Sequence, residues 1–183
     1  MTSMPPENKS SYVWDIVKFA LITLVIVLPI RAYIAQPFVV SGASMDPTFK
    51  NGDYLIIDEL SYLLRSPKRG EVVVLRYPKD PSKFFIKRVI GLPEEIISVV
   101  GGKVSVTKTD GTVEILKEDY ARAFIGAKVV KKLNSTEYFV MGDNRPVSLD
   151  SRIWGPVPED LIKGRALIRL LPPKQAAFLP GQN

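Results

Sequence analysis

An uncharged apolar run near the start of the chain limits how the chain can fold. Residues Phe19–Ile30 read FALITLVIVLPI and lie between Lys18 and Arg31. This run is shorter than the ~20 residues that a membrane-spanning helix needs, but apolar residues extend it on both sides. Flanking cations can place their charges at the lipid headgroups. We therefore predict one transmembrane helix over residues 14–35, preceded by a disordered polar segment, residues 1–13.

Two other interpretations fit the same run. A cleaved signal peptide has an apolar region of similar length, although Arg31–Ala35 is a poor cleavage site. A buried core helix is the other alternative. The flanking charges do not decide the orientation, because Lys9 and Lys18 on one side face Arg31 and many later cations on the other.

The rest of the chain has the pattern of a β protein. Segments rich in β-branched and aromatic residues alternate with turn residues. Predicted strands cover Tyr54–Ile57, Glu71–Tyr77, Phe84–Leu92, Ile96–Val106, Tyr138–Met141 and Leu161–Leu171. Asp110–Gly111 joins two strand-like runs and predicts a hairpin. We predict a mainly β domain over residues 36–171 and a loose tail over residues 172–183.

The chain contains no histidine and no cysteine. Their absence excludes Ser-His-Asp triads, Cys-His dyads, disulfides, and zinc sites with histidine or thiolate ligands. Any acid–base chemistry must therefore use a lysine, a carboxylate or a tyrosine. The net charge is +6, but the cations are scattered. A solubilising surface fits this distribution better than nucleic-acid binding, and attraction to anionic lipids is the other interpretation.

A segment rich in small residues, Val39–Phe49, follows the apolar run. Gly42 and Ala43 precede Ser44 there, and Pro47 closes the turn. Small residues let a substrate backbone approach closely, which makes Ser44 a candidate nucleophile. The alternative is that these residues only form a loop between a helix and a strand.

Lys87 is a candidate base within the strand-like segment Phe84–Leu92. In a strand, Lys87 shares a face with Phe85 and Val89. Removal from water there would lower the pKa of the amine from about 10.4 to roughly 8, and a neutral amine can accept a proton from a serine. The alternative is an edge-strand charge that reaches water and opposes aggregation.

The polar stretch Gly142–Pro158 is dense in glycine, proline and charged residues. This composition predicts little regular structure. It fits either an exposed loop or a set of short hydrogen-bonding groups that orient another part of the molecule.

Four blocks occur in a defined order: SGASMDPTF, NGDYLII, KRVIGLP and MGDNR…S.DSR..G.VP. With these blocks the chain resembles bacterial type I signal peptidases, the membrane-anchored serine–lysine proteases that remove signal peptides from exported proteins. The resemblance runs from Phe38 to about Arg165 and includes the preceding helix. It implies an antiparallel β-sheet catalytic domain with one N-terminal transmembrane helix. That domain would lie on the extracytoplasmic side of the bacterial cytoplasmic membrane, and the chain would cross the membrane once.

Matching positions imply roles for individual residues. Ser44 would be the nucleophile, Lys87 the general base, and Ser148 the hydroxyl that orients the lysine amine. Asp150 and Arg152 would brace the Ser148 loop. Asp143 and Asn144 would form the start of that loop. Met45 would form a wall of the substrate cleft, and its shallow apolar pockets would be lined by Phe38, Val40, Phe85 and Ile86.

The chain departs from the family pattern in three places. Some members have a serine at position 42 that serves as an oxyanion donor, whereas this chain has Gly42. Main-chain groups of Ser44 and Gly42 would then bind the oxyanion, with the Ser41 hydroxyl as a weaker candidate. Pro93–Glu95 replaces the usual Pro-Gly-Asp, so a turn with positive φ is not expected. Pro146–Val147 replaces Asp-Asn, and we assign no role to Glu94, Glu95, Pro146 or Val147.

The resemblance implies signal peptides of exported preproteins and the lipid bilayer as partners, and no nucleic acid, metal or cofactor. Three alternatives are a relative specialised for one secreted substrate, a soluble self-cleaving regulator, and a membrane-tethered β module that binds exported proteins without cutting them. The regulator would need a DNA-binding region in place of the apolar helix, and we find no such region. Ser44, Lys87, Ser148 and Asp150 together favour an enzyme over the binding module.

Overall fold

The N-terminal apolar run forms a helix. The computed structural model describes residues 9–29 and 36–181, and helix α1 covers Lys9–Pro29. No glycine or proline interrupts residues 9–28, which accounts for this continuity. The predicted disorder is therefore wrong for residues 9–13. Residues 1–8, and residues 30–35 of the predicted transmembrane helix, lie outside the described residues.

A membrane-spanning helix was predicted for this region. Within residues 9–29 and 36–181, no helix is both long enough and apolar enough to cross a bilayer.

Within residues 9–29 and 36–181, twelve strands form two antiparallel sheets, which confirms the mainly β prediction. The strands are β1 Gln36–Val39, β2 Tyr54–Asp58, β3 Val72–Tyr77, β4 Asp80–Gly91, β5 Ile96–Val100, β6 Lys103–Thr107, β7 Val113–Ile115, β8 Val129–Lys132, β9 Glu137–Met141, β10 Val157–Pro158, β11 Ile162–Leu171 and β12 Ala177–Phe178. The larger sheet has the order β1-β2-β11-β3-β4-β9-β10, with β12 paired to β11. The smaller sheet has the order β7-β6-β5-β8.

The larger sheet carries apolar cores on both faces. Alternate residues of β3 point to opposite faces, so Val72 and Val74 join one core and Val73 and Leu75 join another. These four residues are at most 3% exposed. A third core lies where the smaller sheet meets β4 and β9. The predicted Asp110–Gly111 hairpin is present as the connection between β6 and β7.

Short helices lie in the connection between β2 and β3 and in the polar stretch Gly142–Pro158, for which little regular structure was predicted. Helix α2 covers Ser61–Leu64, and helix α3 covers Ser151–Trp154. The turn after β4 also differs from expectation, because Glu94 has φ +69°. The buried Glu95 supports this turn: its backbone N–H donates to the Leu92 carbonyl at 3.3 Å, and its carboxylate accepts from the Leu92 N–H at 2.8 Å. The expectation that no positive φ occurs there is therefore wrong.

The C-terminal segment is ordered rather than loose through residue 181. A 3₁₀ turn at Pro173–Gln175 leads into β12, which pairs with Ile168 and Arg169 of β11. Strand β3 pairs with β11 only as far as Arg165. The backbone groups of β11 beyond that point are left for β12, which explains why the prediction of a loose tail is wrong.

Candidate active site

Ser44 and Lys87 lie in contact although 43 residues separate them in the chain. Ser44 lies in the connection between β1 and β2, and Lys87 lies in β4. The Lys87 Nζ atom is 2.7 Å from Ser44 Oγ and 2.9 Å from the Ile86 carbonyl oxygen. Both distances are those of hydrogen bonds. The structure therefore places a candidate nucleophile directly against a candidate base.

The Lys87 amine is held in surroundings that disfavour its charge. The residue is 3% exposed, and Nζ lies 5.3 Å from the centre of the Phe85 ring. Burial lowers the pKa of Lys87 from 10.5 to about 8, while the carboxylates of Asp150 and Asp143 act in the opposite direction. A lysine with this pKa has a neutral fraction near neutral pH that can accept a proton.

The loop that carries Ser44 is closed by hydrogen bonds at its ends. The Val40 N–H donates to Asp53 O, and the Gly42 N–H donates to the Asn51 side-chain oxygen, each at 2.9 Å. Gly42 has φ +90°, a conformation that favours glycine. Because the Gly42 N–H is already bonded, the expectation that it binds an oxyanion is wrong.

Among the described residues, two of the predicted oxyanion groups have no contact that conflicts with the prediction. The Ser44 N–H donates to no other residue in the described part of the chain. Ser41 lines the cavity beside Ser44 and Lys87.

A second loop, residues 142–151, docks on the first. The Asn144 N–H donates to Ser44 O, and the Asn144 side-chain amide donates to Ala43 O, each at 3.0 Å. Gly142 allows the close approach: a Cβ atom there would lie 2.4 Å from Ser44 O and 2.3 Å from Ser148 Oγ. Asn144 and Gly142 thus set the distance between the two loops.

The buried Asp150 carboxylate organises the second loop. It accepts hydrogen bonds from the Gly142 N–H at 3.0 Å and from Arg152 Nε at 2.8 Å. The Arg152 guanidinium also donates to the Arg145 carbonyl at 2.8 Å. The predicted pair therefore lies where it can brace the loop.

Ser148 does not make the contact expected of it. Its hydroxyl is buried and has no hydrogen-bond partner among residues 9–29 and 36–181. The Lys87 amine instead bonds Ser44 and the Ile86 carbonyl, so its direction is set without Ser148. The expected Ser148–Lys87 hydrogen bond is therefore not formed in this structure.

The Asp143 side chain bonds two residues that the sequence did not identify as part of the site. Arg88 donates to both carboxylate oxygens, and the Thr48 hydroxyl donates to one of them at 2.5 Å. Thr48 belongs to the Ser44 loop, so Asp143 links that loop to β4. The sequence could have identified Arg88 as a site residue, because it is a second charge beside Lys87 in an apolar strand. Thr48 and Asn51 have no comparable feature in the sequence.

A cavity of about 100 Å³ lies beside Ser44 and Lys87. The predicted cleft residues Phe38, Val40, Phe85 and Ile86 line it, together with Val39, Ser41, Leu55, Val74 and Phe84. Met45 does not line it. Met45 is 1% exposed and packs in the core with Phe49 and Leu55. The prediction that Met45 forms a wall of the cleft is therefore wrong.

Comparison with known proteins identifies the family. The model of the family described as "Signal peptidase, peptidase S26" matches residues 13–171. The chain belongs to this signal peptidase family. Family membership confirms the resemblance inferred from the four sequence blocks and makes the chain a serine endopeptidase of the signal peptidase I type. The matched range contains both loops of the site and Lys87.

Two individual relatives agree with this assignment. A probable signal peptidase I-2 of Synechocystis sp. is 36% identical, over 96% of this chain and 79% of the relative. A signal peptidase I of Leptolyngbya laminosa is 35% identical, over 82% of this chain and 76% of the relative. A crystal structure of a signal peptidase I from Enterococcus faecalis V583 is 25% identical with a TM-score of 0.44, over 55% of this chain and 97% of that chain.

Proposed function

We propose that this signal peptidase removes signal peptides from exported preproteins with Ser44 as nucleophile and Lys87 as general base. The observation that carries the proposal is the 2.7 Å contact between Ser44 Oγ and the Lys87 amine. The amine is buried and its pKa is lowered to about 8. A serine hydroxyl becomes an effective nucleophile when an adjacent base can take its proton.

The first half of the reaction forms an ester. Neutral Lys87 accepts the Ser44 hydroxyl proton as Oγ attacks the carbonyl carbon of the scissile peptide bond. The Ser44 N–H donates to the oxyanion that develops. The resulting Lys87 ammonium then gives its proton to the departing amine. The C–N bond breaks, the mature protein leaves, and the signal peptide remains esterified to Ser44.

The second half restores the enzyme. Neutral Lys87 accepts a proton from a water molecule as its oxygen attacks the ester carbonyl. The tetrahedral intermediate expels the Ser44 oxygen, which recovers a proton from Lys87. The signal peptide leaves as a carboxylic acid.

The substrate would bind as an extended strand beside β1 and the start of the Ser44 loop. Strand β1 is the terminal strand of the larger sheet in the described part of the chain, so its outer edge can pair with a peptide. The cavity of about 100 Å³ beside Ser44 is small and mostly lined by apolar residues. Both features favour cleavage after small side chains.

Helix α1 would hold the enzyme at the bilayer that its substrate also enters. In the sequence, the proposed span continues to position 35 with apolar residues on both sides of Arg31. The side chains of Trp14, Phe19 and Leu24 are each more than half exposed, as expected of a helix surrounded by lipid. The β domain would then lie on the extracytoplasmic side of the cytoplasmic membrane.

Cleavage of a preprotein by purified protein tests the proposal. Ser44→Ala and Lys87→Ala should each abolish cleavage, with nearly equal losses and little further loss in the double variant, because the two groups act together. Lys83→Ala is the matched control, since Lys83 lies in the same strand but is largely exposed. Near-normal turnover by Lys87→Ala would contradict the assignment. A wild-type protein that bound the preprotein and left it intact would support the non-catalytic β module instead.

A further inference from the structure

A segment that connects two strands of the smaller sheet, β7 and β8, lies across the loops of the site. Residues 116–124, here called the strap, connect β7 toward β8 and contain no regular secondary structure. The Leu116 N–H donates to the Val104 carbonyl at 2.9 Å, which fastens one end of the strap to β6. The partly buried Phe124 packs on the core of the smaller sheet and holds the other end.

Alternate side chains of the strap point toward the site. The four residues share this direction and each contacts a charged residue there: Glu118 contacts Arg145, Tyr120 contacts Arg88, Arg122 contacts Asp46, and Phe124 contacts Arg152. Lys117 and Asp119 point away, are 85% and 70% exposed, and pair with each other. The strap therefore has one face toward the site and one face toward solvent.

Two of these contacts are well buried. Glu118 accepts from both terminal nitrogens of Arg145 at 2.8 and 2.6 Å, with side-chain exposures of 10% and 1%. Arg145 in turn donates to the Gly142 carbonyl at 2.9 Å. The Arg88 guanidinium lies 3.9 Å from the centre of the Tyr120 ring. Bidentate charge-assisted contacts of this kind fix geometry as well as supplying energy.

The residues that the strap contacts lie close in sequence to Ser44, Lys87 and Ser148. Asp46 is two residues after Ser44, and Arg88 directly follows Lys87. Arg145 and Arg152 lie on either side of Ser148. The strap backbone adds a further link, since the Arg122 N–H donates to the Asp143 carbonyl at 2.8 Å. One continuous segment thus contacts all three parts of the chain that build the site.

We propose that the strap is a positioning segment for the Ser44–Lys87 pair, with Glu118 and Arg122 as its positioning residues. The inference rests on the proposed function and assigns to it residues outside the two catalytic groups. Neither side chain reaches the reacting atoms. Arg122 holds the Ser44 loop through Asp46, and Glu118 holds through Arg145 the second loop, which docks on the Ser44 loop. Misplacement of reacting groups by about 1 Å can lower a rate roughly 100-fold.

Matched charge removals test the proposal with a signal-peptide substrate. Glu118→Gln should lower kcat about tenfold and leave KM nearly unchanged, because the dyad is displaced and the substrate cleft is not. Asp119→Asn removes the same charge one residue away, from the solvent face, and should match wild type. Arg122→Gln should lower kcat in the same way, Arg122→Lys should restore most of it, and Lys117→Gln is the control for loss of a cation.

The outcomes separate positioning from a merely structural role. The proposal is overturned if Glu118→Gln has the same kcat as Asp119→Asn, or if the substitution changes only KM. A loss of activity that follows the unfolded fraction in a thermal melt also overturns it. Arg122 is half exposed, so its variants keep the test informative if Glu118→Gln unfolds. A wild-type chain that leaves substrates intact removes the proposed function and this inference together, whereas an active wild type with unaffected strap variants removes only the inference.

Discussion

Arg88 and Asp143 form a buried ion pair directly beside the candidate base. Arg88 Nε and Nη2 donate to the two carboxylate oxygens at 2.9 and 2.6 Å, and the side chains are 1% and 0% exposed. Asp150, the other carboxylate that favours the charged form of Lys87, is paired with Arg152. Each anion near the amine therefore already has a cation of its own, which leaves burial as the dominant influence on Lys87.

Removing one of these arginines should make the amine harder to deprotonate. Arg152→Gln leaves the Asp150 carboxylate without its main cation, so the pKa of Lys87 should rise and the limb of kcat/KM should move to higher pH by about one unit. A pH series of peptide cleavage measures the shift. Arg165→Gln is the control, since Arg165 pairs with Asp58 in another part of the sheet. An unchanged midpoint in Arg152→Gln would show that the pairing has no effect on Lys87.

The pH profile of kcat/KM for the wild-type enzyme should show a rise that is controlled by Lys87. With a pKa of about 8, Lys87 is mostly ammonium at pH 6 and mostly neutral at pH 9. Because only the neutral amine can accept the Ser44 proton, kcat/KM should rise with pH and level off above pH ~9. Initial rates of peptide cleavage across this range provide the measurement. A flat profile between pH ~6 and ~9 would exclude a titrating lysine as the base.

Burial of Lys87 should also appear in folding stability. The pKa is about 8 in the folded protein and 10.5 when unperturbed, so between these values the unfolded chain binds more protons. Stability should therefore rise with pH across this window. Lys87→Met lacks the titration and should be more stable than wild type at pH ~7, by up to about 3 kcal/mol, with a smaller difference at pH ~10. Urea unfolding at the two pH values tests this, and a constant difference would contradict it.

The features that could be predicted are mostly those that depend on short stretches of sequence. The β-branched run of β3 and the Asp-Gly hairpin are properties of a few adjacent residues, and both are present. The Ser44–Lys87 contact joins distant positions, and the sequence could suggest it only because four blocks occur together. The fold makes that contact by placing the β1–β2 connection against β4.

The remaining features depend on contacts that the sequence does not display. Met45 lies within a small-residue motif, and only the packing of Phe49 and Leu55 around it shows that it belongs to the core. Glu94 adopts positive φ because buried Glu95 holds the turn. The sequence did not predict the strap, because its inward-facing side chains are both charged and aromatic. They alternate with outward-facing residues without producing a hydrophobic period.

Gly42 should be required for the geometry of the Ser44 loop. Gly42 has φ +90°, and no atom lies within 4 Å of the position that a Cβ would take, so Gly42→Ala introduces backbone strain without a clash. The strain should cost about 1 kcal/mol and shift Ser44, with a larger fractional loss in kcat than in stability. Gly111→Ala is the matched control, because Gly111 has φ +85° and equally open space in a remote hairpin. Equal activity in the two variants would show that the Gly42 conformation does not matter for cleavage.

The cavity beside Ser44 should decide which side chains the enzyme accepts before the cut. Ile86 lines this cavity and is only partly buried, so Ile86→Ala enlarges the space without opening a large void in the core. The ratio of kcat/KM for a peptide with leucine before the cut to kcat/KM for one with alanine there should rise about tenfold. A few methylene groups in an apolar pocket provide this much discrimination. Ile162→Ala, in a core cluster that does not line the cavity, should lower stability and leave the leucine-to-alanine ratio unchanged. If both variants kept the wild-type ratio, side-chain selection would have to occur outside this cavity.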